Sequence, residues 1–181
     1  MLPRRYSSEA IILQRRNYSE ADRIITLFTK DYGRLTILAK GVRKPSSRKR
    51  GSLEVFSRIK FSAARGKGFD LMTESELVDA YVDIRKDMKK VSVAYFMLET
   101  ARRLTEEEEQ QREFYAYLLQ SFDRLVTTEK LRSFRKSFIR ESLTIMGFWP
   151  DGKELEDPDS ELEKVVEREM TTKRVGKLVT N

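Results

Sequence analysis

The sequence predicts an α+β protein, with a small five-stranded antiparallel β-barrel over residues 1–80 and an α-helical domain over residues 81–181. Three observations lead there. Apolar residues recur at every second position through much of the first half, and at three- and four-residue steps after about Tyr81. Glycine-containing turns punctuate the first half at Lys30–Gly33 and Arg65–Gly68. The charge changes with the period: residues 1–80 carry 17 Lys/Arg against 9 Asp/Glu, whereas residues 81–181 carry 19 against 20.

Ser8–Gln14 and Arg23–Thr29, rich in Ile, Leu and Phe, read as the first two strands. Arg34–Lys40 places Leu35, Ile37 and Ala39 on one face and reads as the third. Leu53–Phe61 alternates with Leu53, Val55, Ile59 and Phe61 in phase, which predicts the fourth, and Phe69–Val78 predicts the fifth. Five short strands in about 80 residues suit a closed or partly open barrel, and the OB-fold is the class that fits best.

The helical half follows the 3.6-residue period. Val91, Ala94, Tyr95, Leu98, Ala101 and Leu104 define one face; Phe114, Tyr117, Leu118, Phe122 and Leu125 a second; Leu131, Phe134, Phe138, Ser142 and Ile145 a third. Gly147, followed by Pro150 and Gly152, ends the third helix. A last helix is expected from Ser160, with Glu163 completing a capping box, toward Met170, followed by a basic tail. The acidic run after Leu104, "TEEEEQQRE", reads as a solvated loop or helix start.

Composition narrows the chemistry. The 181 residues contain no cysteine and no histidine. Disulfides and cysteine-held zinc are therefore excluded, and the commonest general base is missing. The expectation is a cytoplasmic protein without catalytic residues, metal or cofactor. An excess of positive charge confined to one half is the pattern of a domain that meets a polyanion.

The excess is concentrated between the third and fourth strands. From Tyr32 to Leu53 there are seven Lys/Arg and no Asp/Glu, and Gly41, Pro45, Ser46, Ser47 and Gly51 loosen the segment. Arg34, Lys40, Arg43, Lys44, Arg48, Lys49 and Arg50, with Arg65 and Lys67 of the second turn, are the candidate phosphate contacts. Tyr18, Tyr32, Phe56 and Phe69 are the candidate rings for base stacking. Phe56, in the polar phase of its strand beside Arg58 and Lys60, is the one expected to be exposed. A nuclear-localisation composition in KPSSRKR says nothing of the flanking strands, and Pro45 opposes a basic membrane-surface helix. Two readings from other classes stand beside nucleic-acid binding. One is an adaptor whose basic loop docks acidic protein segments; the other is a magnesium nuclease built on Asp22, Asp70, Glu74 and Glu76.

The order of several short pieces adds a resemblance. Glu9-Ala10-Ile11, Tyr18–Arg23, Tyr32-Gly33 and Ala39–Arg43 come first. A basic loop, Leu53–Phe56, Arg65–Gly68 and Glu74–Leu77 follow in turn. Together they resemble the bacterial recombination-repair mediator family RecO. "SFIRESLTIMGFWPD" resembles that family's Leu-rich helix ending in a Gly-aromatic-x-Pro turn. The resemblance implies an N-terminal OB-fold and a C-terminal helical domain. It also implies binding of single- and double-stranded DNA, strand annealing, action with RecR, and recombinase loading on DNA coated by single-strand-binding protein, whose acidic tail such proteins contact. Many members carry four cysteines after the turn where this chain has none, and the helical domain is expected to be abbreviated.

Overall fold

The computed structural model describes residues 2–45, 47, 51 and 53–166. Its contacts divide the chain into two units, residues 1–80 with 105–112, and residues 81–104 with 113–181.

In the first unit, β1 (Arg5–Asn17), β2 (Arg23–Thr29), β3 (Gly33–Ala39), β4 (Arg58–Ala64) and β5 (Asp70–Asp79) close into a barrel in the order β1-β2-β3-β5-β4. That is the strand order of an OB-fold. β1 is long enough to serve two neighbours: Arg5–Ile11 pairs with β4, and Ala10–Asn17 with β2. A register shift between Ile12 and Gln14 marks where it bends from one partner to the other. The strands are antiparallel except at the closing seam, where β3 and β5 run parallel through Ile37↔Asp70 and Leu38↔Leu71. The all-antiparallel expectation is corrected there, because closing five strands in this order leaves one pair with the same direction.

Period-two side chains fill the interior: Ala10 and Ile12, Ile25 and Leu27, Leu35, Ile37 and Ala39, Ile59, Phe61 and Ala63, and Met72. β2 buries Ile24 and Phe28 as well, so both of its faces are covered. Gly33 (φ 68°) makes the turn into β3, and Thr29 stabilises that turn by donating from Oγ1 to the Gly33 carbonyl (2.8 Å).

The fourth strand begins later than the sequence predicts. Leu53–Ser57 is irregular and is bonded to the β1 backbone: the Phe56 N–H donates to Ile12 O (2.8 Å) and the Ile12 N–H to Ser57 O (3.0 Å). Phe56 adopts φ 55° and its ring is only 1% exposed. The expectation of an exposed Phe56 is overturned. The left-handed backbone at that residue breaks the alternation and turns the ring inward, beyond the reach of a base.

The second unit holds α1 (Val82–Arg85), α2 (Met88–Leu104), α3 (Arg112–Thr127), α4 (Leu131–Ile145) and α5 (Pro158–Val166). Most of the expected stripes are buried: Ala94, Leu98, Ala101 and Leu104 on α2; Phe114, Leu118, Phe122 and Leu125 on α3; Leu131, Phe134, Phe138 and Ser142 on α4. Tyr95, expected on the α2 face, is exposed instead, and Val91, Tyr117 and Ile145 are half-buried at the stripe edges. Gly147 (φ 79°) ends α4, with the Phe148 N–H returning to Leu143 O (2.8 Å). Arg135 of α4 lies over the Phe96 ring (4.0 Å) and forms a two-pronged pair with Asp159. α5 starts two residues before the expected capping box. Asp157 caps it instead, accepting from the Ser160 N–H (3.1 Å), and Pro158 fills the first turn. The expected helix end at Met170 and the basic tail lie outside the described residues. Among the described residues no helix is long and apolar enough to cross a membrane.

Candidate nucleic-acid interface

Three loops of the barrel unit are fastened together. The β1–β2 loop closes on itself through the Tyr18 N–H to Asp22 O (3.1 Å). Asp22 then holds the start of the β3–β4 connection, its Oδ1 accepting from the Gly41 N–H (2.8 Å) where Gly41 takes φ 65°. Arg43 adds two bonds to the same loop, from its N–H to Ala21 O (2.9 Å) and from Nη1 to Ser19 O (2.7 Å). On the other side, the Tyr18 ring meets Phe69 of the β4–β5 hairpin edge to face, with centroids 5.9 Å apart. The β1–β2 and β4–β5 loops are the ones through which OB-folds commonly bind oligonucleotides.

The arrangement places cations on the two loops that meet the loop carrying Tyr18. Lys40, Arg43 and Lys44 are exposed at the start of the β3–β4 connection, and Arg65 and Lys67 are exposed on the hairpin. None of these five forms an ion pair among the described residues, although Arg43 spends one donor on Ser19 and Arg65 one on Leu2 O (3.4 Å). Tyr18 is 57% exposed between the two sets. Flat aromatic surface flanked by unpaired cations can hold a base and its phosphates, whatever the base.

The remaining predicted residues separate. Arg48, Lys49 and Arg50 lie outside the described residues. Phe56 is buried, as described above. Tyr32 packs on Tyr6 (5.2 Å) instead of facing outward. Arg34 is only 19% exposed; its Nε donates to Thr105 O (3.1 Å) and its Nη1 lies 3.7 Å from Glu107 Oε1. It is already engaged, so it is not a free phosphate contact.

Beside Arg34 is a hollow of about 420 Å³ lined by Tyr6, Arg65, Lys67, Asp70, Glu107 and Glu108. The Tyr6 hydroxyl donates to Asp70 Oδ2 (2.7 Å), and Asp70 Oδ1 accepts from the Gly66 N–H (3.1 Å). Burial first, then that bond, hold the Tyr6 phenol well above its ordinary range; Arg65 pulls it down and Glu108 pushes it further up. Of the four acids considered for magnesium, Asp22 and Asp70 are thus bonded to loop backbone. Among the described residues no group of three or more acidic side chains is placed to hold a metal ion.

Sequence reasoning named one feature without singling it out and missed another. Tyr18 was one aromatic among four, yet its polar neighbours Asn17 and Ser19 give it no apolar face to join, and that signal was available. The acidic run at residues 106–109 gave no sign that it packs on the barrel.

A closed OB-type barrel presenting a cationic loop surface, together with a unit of five helices among the described residues, defines a two-part α+β protein. The family model for the Recombination protein O N terminal matches residues 1–81, and that for the Recombination protein O C terminal matches residues 85–154. The chain belongs to the RecO family. It is similar to the DNA repair protein RecO of Pelotomaculum thermopropionicum, with 30% identity over 145 residues covering 80% of this chain and 56% of that protein. Likeness to the DNA repair protein RecO of Dehalococcoides mccartyi is 32% over 152 residues, 84% of this chain and 60% of the relative. For that of Roseiflexus it is 35% over 119 residues, 66% and 42%. The chain thus aligns with between two-fifths and three-fifths of the length of these curated relatives.

Proposed function

We propose that this chain acts in DNA repair as a recombination mediator. It binds single- and double-stranded DNA, promotes annealing, and helps load recombinase on DNA coated by single-strand-binding protein. RecR and the acidic tail of that coating protein are its protein partners, and its place is the nucleoid-associated cytoplasm. In this reading the unit of residues 1–80 with 105–112 is the DNA-binding domain, and residues 81–104 with 113–181 make up the second domain.

One observation carries the proposal: Lys40, Arg43, Lys44, Arg65 and Lys67 are exposed and without carboxylate partners among the described residues, on loops tied around the exposed Tyr18. Cations placed like this displace the counterions of a phosphate backbone, which supplies affinity without sequence preference. A basic surface that meets two strands at once also screens their mutual repulsion, so annealing needs no catalytic residue. Arg48, Lys49 and Arg50 extend the same basic segment in sequence.

Competition at fixed salt tests the proposal. A fluorescent thymidine oligonucleotide bound to the chain should resist displacement by an acidic peptide of equal charge. Preferential binding of the peptide would replace this reading with that of a protein-docking adaptor.

A further inference from the structure

Glu106, Glu107, Glu108 and Glu109 are four successive exposed carboxylates, and they belong to the barrel unit, the unit with the excess of positive charge. Backbone and side-chain contacts hold them there. The Glu108 N–H donates to Arg34 O (3.1 Å), Glu107 bridges Arg34 in parallel, and the Gln110 amide donates to Asp31 O (2.8 Å). Arg112 pairs with Asp31 (3.2 Å) and completes the attachment. Gly33 makes the approach feasible, since a Cβ there would stand 2.0 Å from Glu109 O. Glu107 and Glu108 thereby line the same hollow as Arg34, Arg65 and Lys67.

An extended peptide advances at most about 3.3–3.6 Å per residue, and one strand of duplex DNA carries a phosphate about every 3.4 Å. Four glutamates in a row therefore present negative charge at least as densely as a nucleic-acid strand does. Solvation alone explains an acidic loop that stands off in water. It does not explain one laid along β3 by backbone bonds, with an arginine drawn beneath it.

We propose that Glu106–Glu109 is a resident polyanion that occupies the β3 side of the barrel and competes with incoming nucleic acid for Arg34, Arg65 and Lys67. The proposal rests on the nucleic-acid reading above and adds a selectivity device to it. A tethered competitor acts at high local concentration, so short or weakly charged anions fail to displace it. A strand already anchored at Lys40, Arg43, Lys44 and Tyr18 can displace it, and displacement releases Arg34 as a further contact.

Anisotropy of a labelled thymidine oligonucleotide at low salt tests this in the full chain. Glu107→Gln with Glu108→Gln should tighten binding by about fivefold, the scale of a surface ion pair. Glu74→Gln with Glu76→Gln, which removes equal charge from exposed positions on β5, should tighten it by less than about twofold. Arg34→Ala should leave the affinity of the native chain unchanged but weaken the Glu107/Glu108 variant by about fivefold. A steric route gives a second check: Gly33→Asn keeps a residue that tolerates positive φ but displaces Glu109, and it too should tighten binding. Equal tightening by the two charge pairs, or an Arg34→Ala effect identical in both backgrounds, would overturn the proposal while leaving nucleic-acid binding in place. Absence of binding in every chain would sink both readings.

Discussion

Replacing Tyr18 by alanine separates the stacking contribution from the charge contribution. The ring is 57% exposed, and its ring contact among the described residues is the edge-to-face approach to Phe69 at 5.9 Å, so its loss should hardly alter thermal stability. A base stacked on such a ring contributes about 1–3 kcal/mol, which corresponds to roughly 5- to 150-fold in affinity. Lys40, Arg43, Lys44, Arg65 and Lys67, without carboxylate partners among the described residues, are untouched by the substitution. Binding of a single-stranded thymidine oligonucleotide should therefore fall by a factor in that range, while the salt dependence keeps its slope. Duplex binding should change by less than about twofold, because paired bases cannot splay onto the ring. Tyr18→Phe retains the flat surface and should bind like the native chain. Equal losses on single strands and duplex, or no loss on either, would refute the stacking role.

Other consequences follow from the same packing. Phe56→Ala empties a site that is 1% exposed and should cost about 3–5 kcal/mol of stability, read by thermal or urea unfolding, without weakening DNA binding by the chains that remain folded. Arg135→Ala leaves Asp159 without its two-pronged partner and uncovers Phe96; a loss of about 3 kcal/mol is expected by urea unfolding. Burial raises the phenol of Tyr117 from its ordinary value of 10.0 to about 12, and raises that of Tyr6 as well. Both are neutral in the fold and ionise more readily in the unfolded chain, so their contribution to stability is whole below pH 10; that of Tyr117 is lost as pH climbs toward about 12, and that of Tyr6 at higher pH still. Ultraviolet titration should accordingly show at least two of the seven tyrosines ionising late, together with unfolding.

The sequence carried two periods, one in each half, and through them the barrel and much of the faces of α2, α3 and α4. It failed at Leu53–Ser57 for a physical reason. Alternation records which side chains are buried, and an irregular segment bonded to β1 can bury Leu53 and Phe56 as well as a strand can. Nothing local marks Phe56 for positive φ, a conformation that its side chain ordinarily disfavours. The cations were legible because charge is a property of composition. Their availability was not, because Arg34 is engaged by Thr105 at a separation of 71 residues, a pairing that only the folded chain defines. Tyr18 falls between these cases: its polar surroundings could be read, but the loops that present it are joined by Asp22 and Arg43 through backbone bonds that no pattern in the sequence records.

The most direct measurement is the affinity of the full chain for a single-stranded oligonucleotide across a salt series. Five phosphates neutralised by Lys40, Arg43, Lys44, Arg65 and Lys67 predict a slope of about −3.5 in log affinity against log salt, and a steeper one if Arg48, Lys49 and Arg50 join them. A slope near zero at measurable affinity would contradict the account, since the strand would then be held by something other than these charges.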